Sequence, residues 1–222
     1  MPITPPSENI TTGEYHEIRK YSLPLRLWHW LNAIVITGSL LTVLLNSTFL
    51  SSKDNTDFIK TRLQSKGATI TSDQAKSVAH GLSNKVWEFH TYLGYTLAGL
   101  LLLRLLLEFF QLADQRLMRK IKVAYRQYYV IKKQRELAMH EFLVKSLYGL
   151  FYLMITVMAV TGLCLAFEDD YPVLKSMHFI RQIHGFTMYL IIGFIVLHIG
   201  GVLLAERKEQ KGIVSDMING GQ

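Results

Sequence analysis

Cysteine is almost missing from this chain: Cys164 stands alone among 222 residues. A single thiol excludes an internal disulfide, and without a C-x-x-C-H motif there is no covalent c-type haem attachment. It also excludes an iron–sulfur cluster, which takes several thiolates. Cys164 itself reads as a small buried residue. Charge is missing from long stretches too, since segments 146–167 and 182–205 contain no Asp, Glu, Lys or Arg. Dinucleotide fingerprints, internal repeats, low-complexity tracts and a second domain are also lacking, and no catalytic residue can be assigned.

What the chain has is apolar residues in blocks. Half of its residues are hydrophobic and the mean hydropathy is +0.20. Four blocks, about 25–45, 86–110, 146–167 and 182–205, are each near the ~20 residues a helix needs to cross a bilayer. The second carries Arg104 and Glu108 near its end, where long side chains reach the interface. The first follows a polar lead with no small-residue cleavage site, which reads as a retained anchor. The sequence therefore predicts an all-α integral membrane protein, a transmembrane four-helix up-down bundle whose core can hold cofactors. Its parts are an N-terminal segment 1–24, a four-helix domain 25–205 and a tail 206–222.

The net charge of +7 would suit nucleic acid, but its placement points to topology instead. With the N-terminus inside, inner segments hold 15 Lys/Arg, nine of them between 111 and 145, and outer segments hold eight. Positive charge marks the cytoplasmic side, so both termini are expected there, in a cell (inner) membrane. No nucleic-acid partner is expected. Segment 47–85 reads as a long outer loop, either a docking surface or a short helical excursion, and 111–145 as inner extensions beside anionic headgroups or a solvated basic face. Trp28, Trp30 and Trp87 sit at span ends as interfacial anchors.

Four of the eight histidines, His29, His90, His184 and His198, lie within or at the rims of these blocks. Ionisable residues at membrane depth are rare and usually functional. His184 and His198 are 14 residues apart on one block. That is within ~40° of four turns and ~21 Å of rise, so one helix face presents both at two levels. Measured from span midpoints, His29 and His198 fall about 9 and 7 Å inward, and His90 and His184 about 12 and 14 Å outward. The four thus form an inner pair, His29/His198, and an outer pair, His90/His184. His16, His80, His140 and His178 lie outside the spans and read as solvated.

Zinc usually takes four ligands and each level offers two imidazoles. Copper would want Met or Cys to complete its shell, and none is arranged to do so. Haem needs only axial ligands, because the porphyrin supplies four nitrogens. Two non-covalent haem b groups therefore fit best, with the four histidines as axial ligands to iron. Between the two ligands of the fourth span lie Thr187, Met188, Ile191 and Ile195, a mainly apolar face suited to a dry gap. Gly94, one turn after His90, would admit a porphyrin or simply a neighbouring helix. Arg26 and Arg181, each three residues before a ligand, would pair with propionates or snorkel to the interface.

The opening "YSLPLRLWHWLNAIVITGSLLTVLL", the second-span "FHTYLGYTLAGLLLLRLLLEFF" and the fourth-span "RQIHGFTMYLIIGFIVLHIGG" resemble the b-type cytochrome subunit of nickel–iron hydrogenases. That group also includes the formate dehydrogenase membrane subunit and bacterial cytochrome b561. The likeness covers roughly residues 20–220, and its ligand pattern falls on His29, His90, His184 and His198. It implies electron exchange between the quinone pool and a partner oxidoreductase or electron-carrier protein. Asn32, one turn from His29, is the inner-side candidate for a quinone contact. A stand-alone quinone-linked cytochrome b561 such as a superoxide oxidase is the alternative, and a haem-free membrane anchor is a further one.

Overall fold

The computed structural model describes residues 22–110, 135–208 and 212–220. The described elements are all helices: α1 (Leu23–Thr48), α2 (Ser52–Gln64), α3 (Ser72–Phe110), α4 (Arg135–Ala166), α5 (Pro172–Ser176), α6 (His178–Lys208) and α7 (Ile213–Asn219). Four segments are long and apolar enough to cross a membrane: Leu23–Thr48, Ser72–Leu107, Ser146–Ala166 and His178–Arg207. No more than 17% of the residues in any of their apolar windows is buried inside the protein, so most of each apolar surface faces outward. Leu41, Leu102, Leu153 and Leu197 are among those outward residues. Such a surface is stable against lipid and not against water.

Local signals set the helix ends. Pro24 lies in the first turn of α1, where a missing N–H costs nothing. At the end of α2, Gly67 adopts φ 83°, with Gly67 N–H donating to Gln64 and Ala68 N–H to Leu63. This paired bonding ends the helix, and the left-handed residue in it is best a glycine. α3 begins with a capping box. The Thr71 N–H donates to Gln74 Oε1 at 2.9 Å, and the Gln74 N–H to Thr71 Oγ1 at 3.2 Å.

Segment 47–85, expected as a long loop serving as a docking surface or as a short helical excursion, is therefore largely helix: α2, then the first four turns of α3, packed on each other. Residues 1–21 and 111–134 lie outside the described residues, so the expectations for the polar lead and most of the basic loop rest on sequence.

α1 packs along α3, α3 against α4, and α4 against α6. α6 makes little or no direct backbone contact with α1 or α3. The core is one apolar cluster shared by the four long helices: Val35, Ile36, Leu97, Leu101, Met154, Ile155, Ala159 and Ile191. Trp28 is not a lipid-facing anchor. Its indole N–H donates to the Leu100 carbonyl at 3.1 Å, and its ring lies 5.6 Å from Tyr152. Arg104 does not snorkel freely either; its Nε donates to the Tyr152 hydroxyl at 2.9 Å.

Candidate functional site

The histidines meet in the expected combinations. The ring centroids of His29 on α1 and His198 on α6 are 6.2 Å apart. Those of His90 on α3 and His184 on α6 are 6.3 Å apart. Each pair thus bridges two helices that barely touch, α1 with α6 and α3 with α6. Ile36, Leu97 and Ile191 lie seven residues, about two turns, along their helices from His29, His90 and His184. Ile191 is also seven residues before His198, so the apolar core lies between the two levels. Thr187 and Ile191 are buried, as that helix face predicts.

The spacing permits a test of fit. Two imidazoles on opposite sides of one metal ion put their ring centroids about 6.4 Å apart, given metal–nitrogen bonds of ~2.0–2.1 Å. Both observed separations match that length. Among the described residues no three His, Cys, Asp or Glu side chains converge as a bare ion would need. A group that brings four nitrogens of its own would need only two imidazoles from the protein, and each level offers a pair facing across helices with little backbone contact.

The outer pair is tethered. The Thr42 hydroxyl donates to the Ser39 carbonyl at 2.6 Å and lies 2.8 Å from His90 Nδ1. The Thr161 hydroxyl donates to the Val157 carbonyl at 2.6 Å and lies 3.0 Å from His184 Nδ1. With each hydroxyl proton committed to its own helix, the oxygen accepts from Nδ1–H. That fixes the tautomer in which Nε2 keeps its lone pair. Gly162 makes room for this arrangement, since a Cβ there would lie 3.2 Å from His184 Cε1. Gly94, by contrast, faces open space.

The inner pair is held by ring contacts. Phe194 stacks on His198 with centroids 5.9 Å apart and planes within 5°. Trp30 meets His29 edge-on at 5.3 Å. His29 Nδ1 is buried with no hydrogen-bond partner among the described residues.

The two arginines expected to pair with propionates or to snorkel, Arg181 and Arg26, both have partners in the protein. Arg181 Nη2 pairs with Glu168 at 2.7 Å. Arg26 is buried, and its Nη1 donates to the Ile218 carbonyl of α7 at 2.7 Å, although its Nε has no partner among the described residues. Asn32 is buried with Nδ2 donating to its own helix at Trp28, and its Oδ1 is unpartnered among the described residues. Sequence reasoning missed Thr42, Thr161, Gly162 and α7. The glycines flanking "IVSDMIN" were the one available signal for α7, and both Gly212 and Gly220 adopt φ 95°.

No curated protein and no solved structure matches the chain. A family profile described as prokaryotic cytochrome b561 matches residues 20–220, a stretch that takes in all four spans and all four paired histidines. The chain is thus a multi-pass membrane protein belonging to the prokaryotic cytochrome b561 family, and that membership implies b-type haem.

Proposed function

We propose that the protein is a dihaem b-type cytochrome that relays electrons between the quinone pool and a partner oxidoreductase or electron carrier, with His29/His198 and His90/His184 as the two axial pairs. The observation that carries this reading is the pair of imidazole separations, 6.2 and 6.3 Å, at two levels of one apolar bundle. The bound haems would supply one-electron chemistry at iron. The chain's own residues hold the imidazoles across two helix gaps and keep water out of the layer around Ile191. Quinone would exchange electrons at an edge site, for which the buried, unpartnered Oδ1 of Asn32 is the inner candidate. On this reading residues 25–205 are the cytochrome domain, and the basic excess of the inner segments supports both termini lying on the cytoplasmic side of the inner membrane.

Purified protein tests this directly. Two haems per chain, all extracted by acid-acetone, are expected; a ratio near one, or haem retained covalently, would overturn the assignment.

One observation favours the stand-alone superoxide-oxidising reading. The segment 168–170 looks acidic in sequence, yet Glu168 is matched by Arg181 at 2.7 Å and Asp169 by Lys175 at 2.8 Å. The Lys175 ammonium, through its hydrogen bond and then its charge, holds the Asp169 carboxyl below its ordinary range. The rim beside His184 therefore does not repel an anion as strongly as its composition suggests. Rapid superoxide turnover with quinone by the isolated chain would select that reading over the partner-dependent one.

A further inference from the structure

The same small device occurs twice at the outer level, on two different helices. Thr42 on α1 reaches across to His90 on α3, and Thr161 on α4 reaches across to His184 on α6. In both, the threonine proton is spent on a carbonyl of its own helix, at 2.6 Å, so the oxygen can only accept from the imidazole. A hydroxyl already donating is a stronger acceptor, because linked hydrogen bonds polarise one another. At the inner level nothing equivalent occurs. Among the described residues no hydrogen bond reaches the ring of His29 or His198, and their neighbours are Trp30 and Phe194.

We propose that Thr42 and Thr161 are positioning residues that hold His90 and His184 as Nδ1–H donors and thereby set the outer centre to a lower reduction potential than it would otherwise have. The inference rests on the histidine ligation proposed above. Drawing the Nδ1 proton partly away raises the basicity of the ligating nitrogen. A more basic ligand stabilises the oxidised, more highly charged iron over the reduced one, so the potential falls. The inner pair lacks that pull. With both haems bound, an electron shared between the two centres would favour the inner one, one-electron reduction there being matched by one-electron oxidation of the outer centre.

The test is a redox titration of purified full-length protein carrying Thr42→Val, Thr161→Val or both. The outer component is identified as the one that disappears in His90→Ala. At a fixed ambient potential the reduced-to-oxidised ratio of the outer centre should rise several-fold in each single variant. In the double variant it should rise about tenfold, which is ~59 mV for a one-electron couple. The inner centre should not move, the low-temperature resonance of the oxidised outer centre should shift, and Thr→Ser should restore the parent values.

An unmoved outer potential with haem retained would overturn the inference, as would equal shifts at both centres or failure of serine to restore. If the valine variants lose the outer haem, the serine variants decide. Haem held at the parent potential supports the proposal, and its loss there too overturns it. A parent chain without haem would overturn the ligation reading and this inference together, whereas an unmoved outer potential overturns this inference alone.

Discussion

The two ends of the bundle hold chemically identical histidine pairs by different means. At the outer end the protein supplies directional bonds: two threonines fix ring tautomer and rotation, and Gly162 lets His184 approach α4 to within van der Waals contact. At the inner end it supplies apolar and aromatic surface, with Phe194 flat against an exposed His198 and Trp30 edge-on to His29. Directional bonds determine which nitrogen faces the gap, while ring packing constrains plane and position but not tautomer. The outer pair is thus preorganised by the polypeptide, and the inner pair has polar valence left over, at His29 Nδ1 and Asn32 Oδ1. A buried polar atom without a partner is costly. The inner end therefore has the stronger demand for a water or ligand atom to complete it.

Removing ligands should break the comparison most sharply. His184→Ala and His90→Ala should each abolish the same haem component, and His29→Ala and His198→Ala should each abolish the other. Visible spectra and a redox titration of each variant check this. If His90→Ala reproduced His29→Ala, the pairing by level would be wrong. In the helices left behind, the inner pair should survive loss of the outer one, because the core cluster between them takes residues from all four long helices.

Next in size is Gly162→Ala. A methyl group placed 3.2 Å from His184 Cε1 must push the ring or the helix by a few tenths of an ångström. That strains the Thr161 bond along with the ligand. Outer-sphere partners of metal ligands are typically worth 10–100-fold in metal affinity, so roughly tenfold faster loss of the outer haem is expected, with the inner one unchanged. Competition with a haem-binding apoprotein would measure both rates.

The pairing of histidines was legible because it depends only on helical period and rise, which apolar spans make reliable. The tethers were not. Thr42 and Thr161 are ordinary in a membrane helix, where a threonine bonds its own preceding turn, and only the rotation of α1 against α3 and of α4 against α6 turns them toward a histidine. Helix boundaries were legible where hydropathy changes and illegible where it does not. The first turns of α3 are polar overall and carry only the weak stripe Ala75, Val78, Ala79 and Leu82, of which Ala75 and Ala79 are buried, although the Thr71–Gln74 capping box marks their start. The spans for Trp28 and Arg104 were right, but their burial against Tyr152 depends on which faces meet.

The tail helix offers a smaller test, confined to the inner end. α7 is held at both ends by charge of the favourable sign. Glu206 accepts from the Gly212 and Val214 N–H groups at its start, and Arg26 donates to the Ile218 carbonyl at its finish. Trp30, which also touches His29, donates to the Met217 carbonyl at 3.1 Å. Arg26→Ala should cost on the order of 2 kcal/mol, as for a hydrogen bond to a charged group. It should also make the tail more sensitive to protease and leave the outer spectrum unaltered. Gly220→Ala should act in the same direction, because its Cβ would lie 3.2 Å from Arg26 Cζ and φ 95° disfavours any side chain. A change in the outer centre would show that the two ends are coupled through α6.

The smallest effect is expected from Glu168→Gln at the outer rim. Glu168 neutralises Arg181, which stands three residues before His184 on the same helix and has a largely exposed side chain. Without its carboxylate partner the guanidinium leaves a net positive charge nearer the outer pair than the inner one. Positive charge favours the reduced iron, so the outer potential should rise slightly, by less than in the threonine variants, and the inner potential should stay fixed. Because the charge is solvent-exposed, salt should erase the shift, with a screening length of about 10 Å at 0.1 M and about 3 Å at 1 M. A titration repeated at both ionic strengths separates this from the threonine effect, which acts through a hydrogen bond inside the bundle and should persist in high salt. A salt-insensitive shift in Glu168→Gln would mean that the substitution had moved α6 itself, and with it His184.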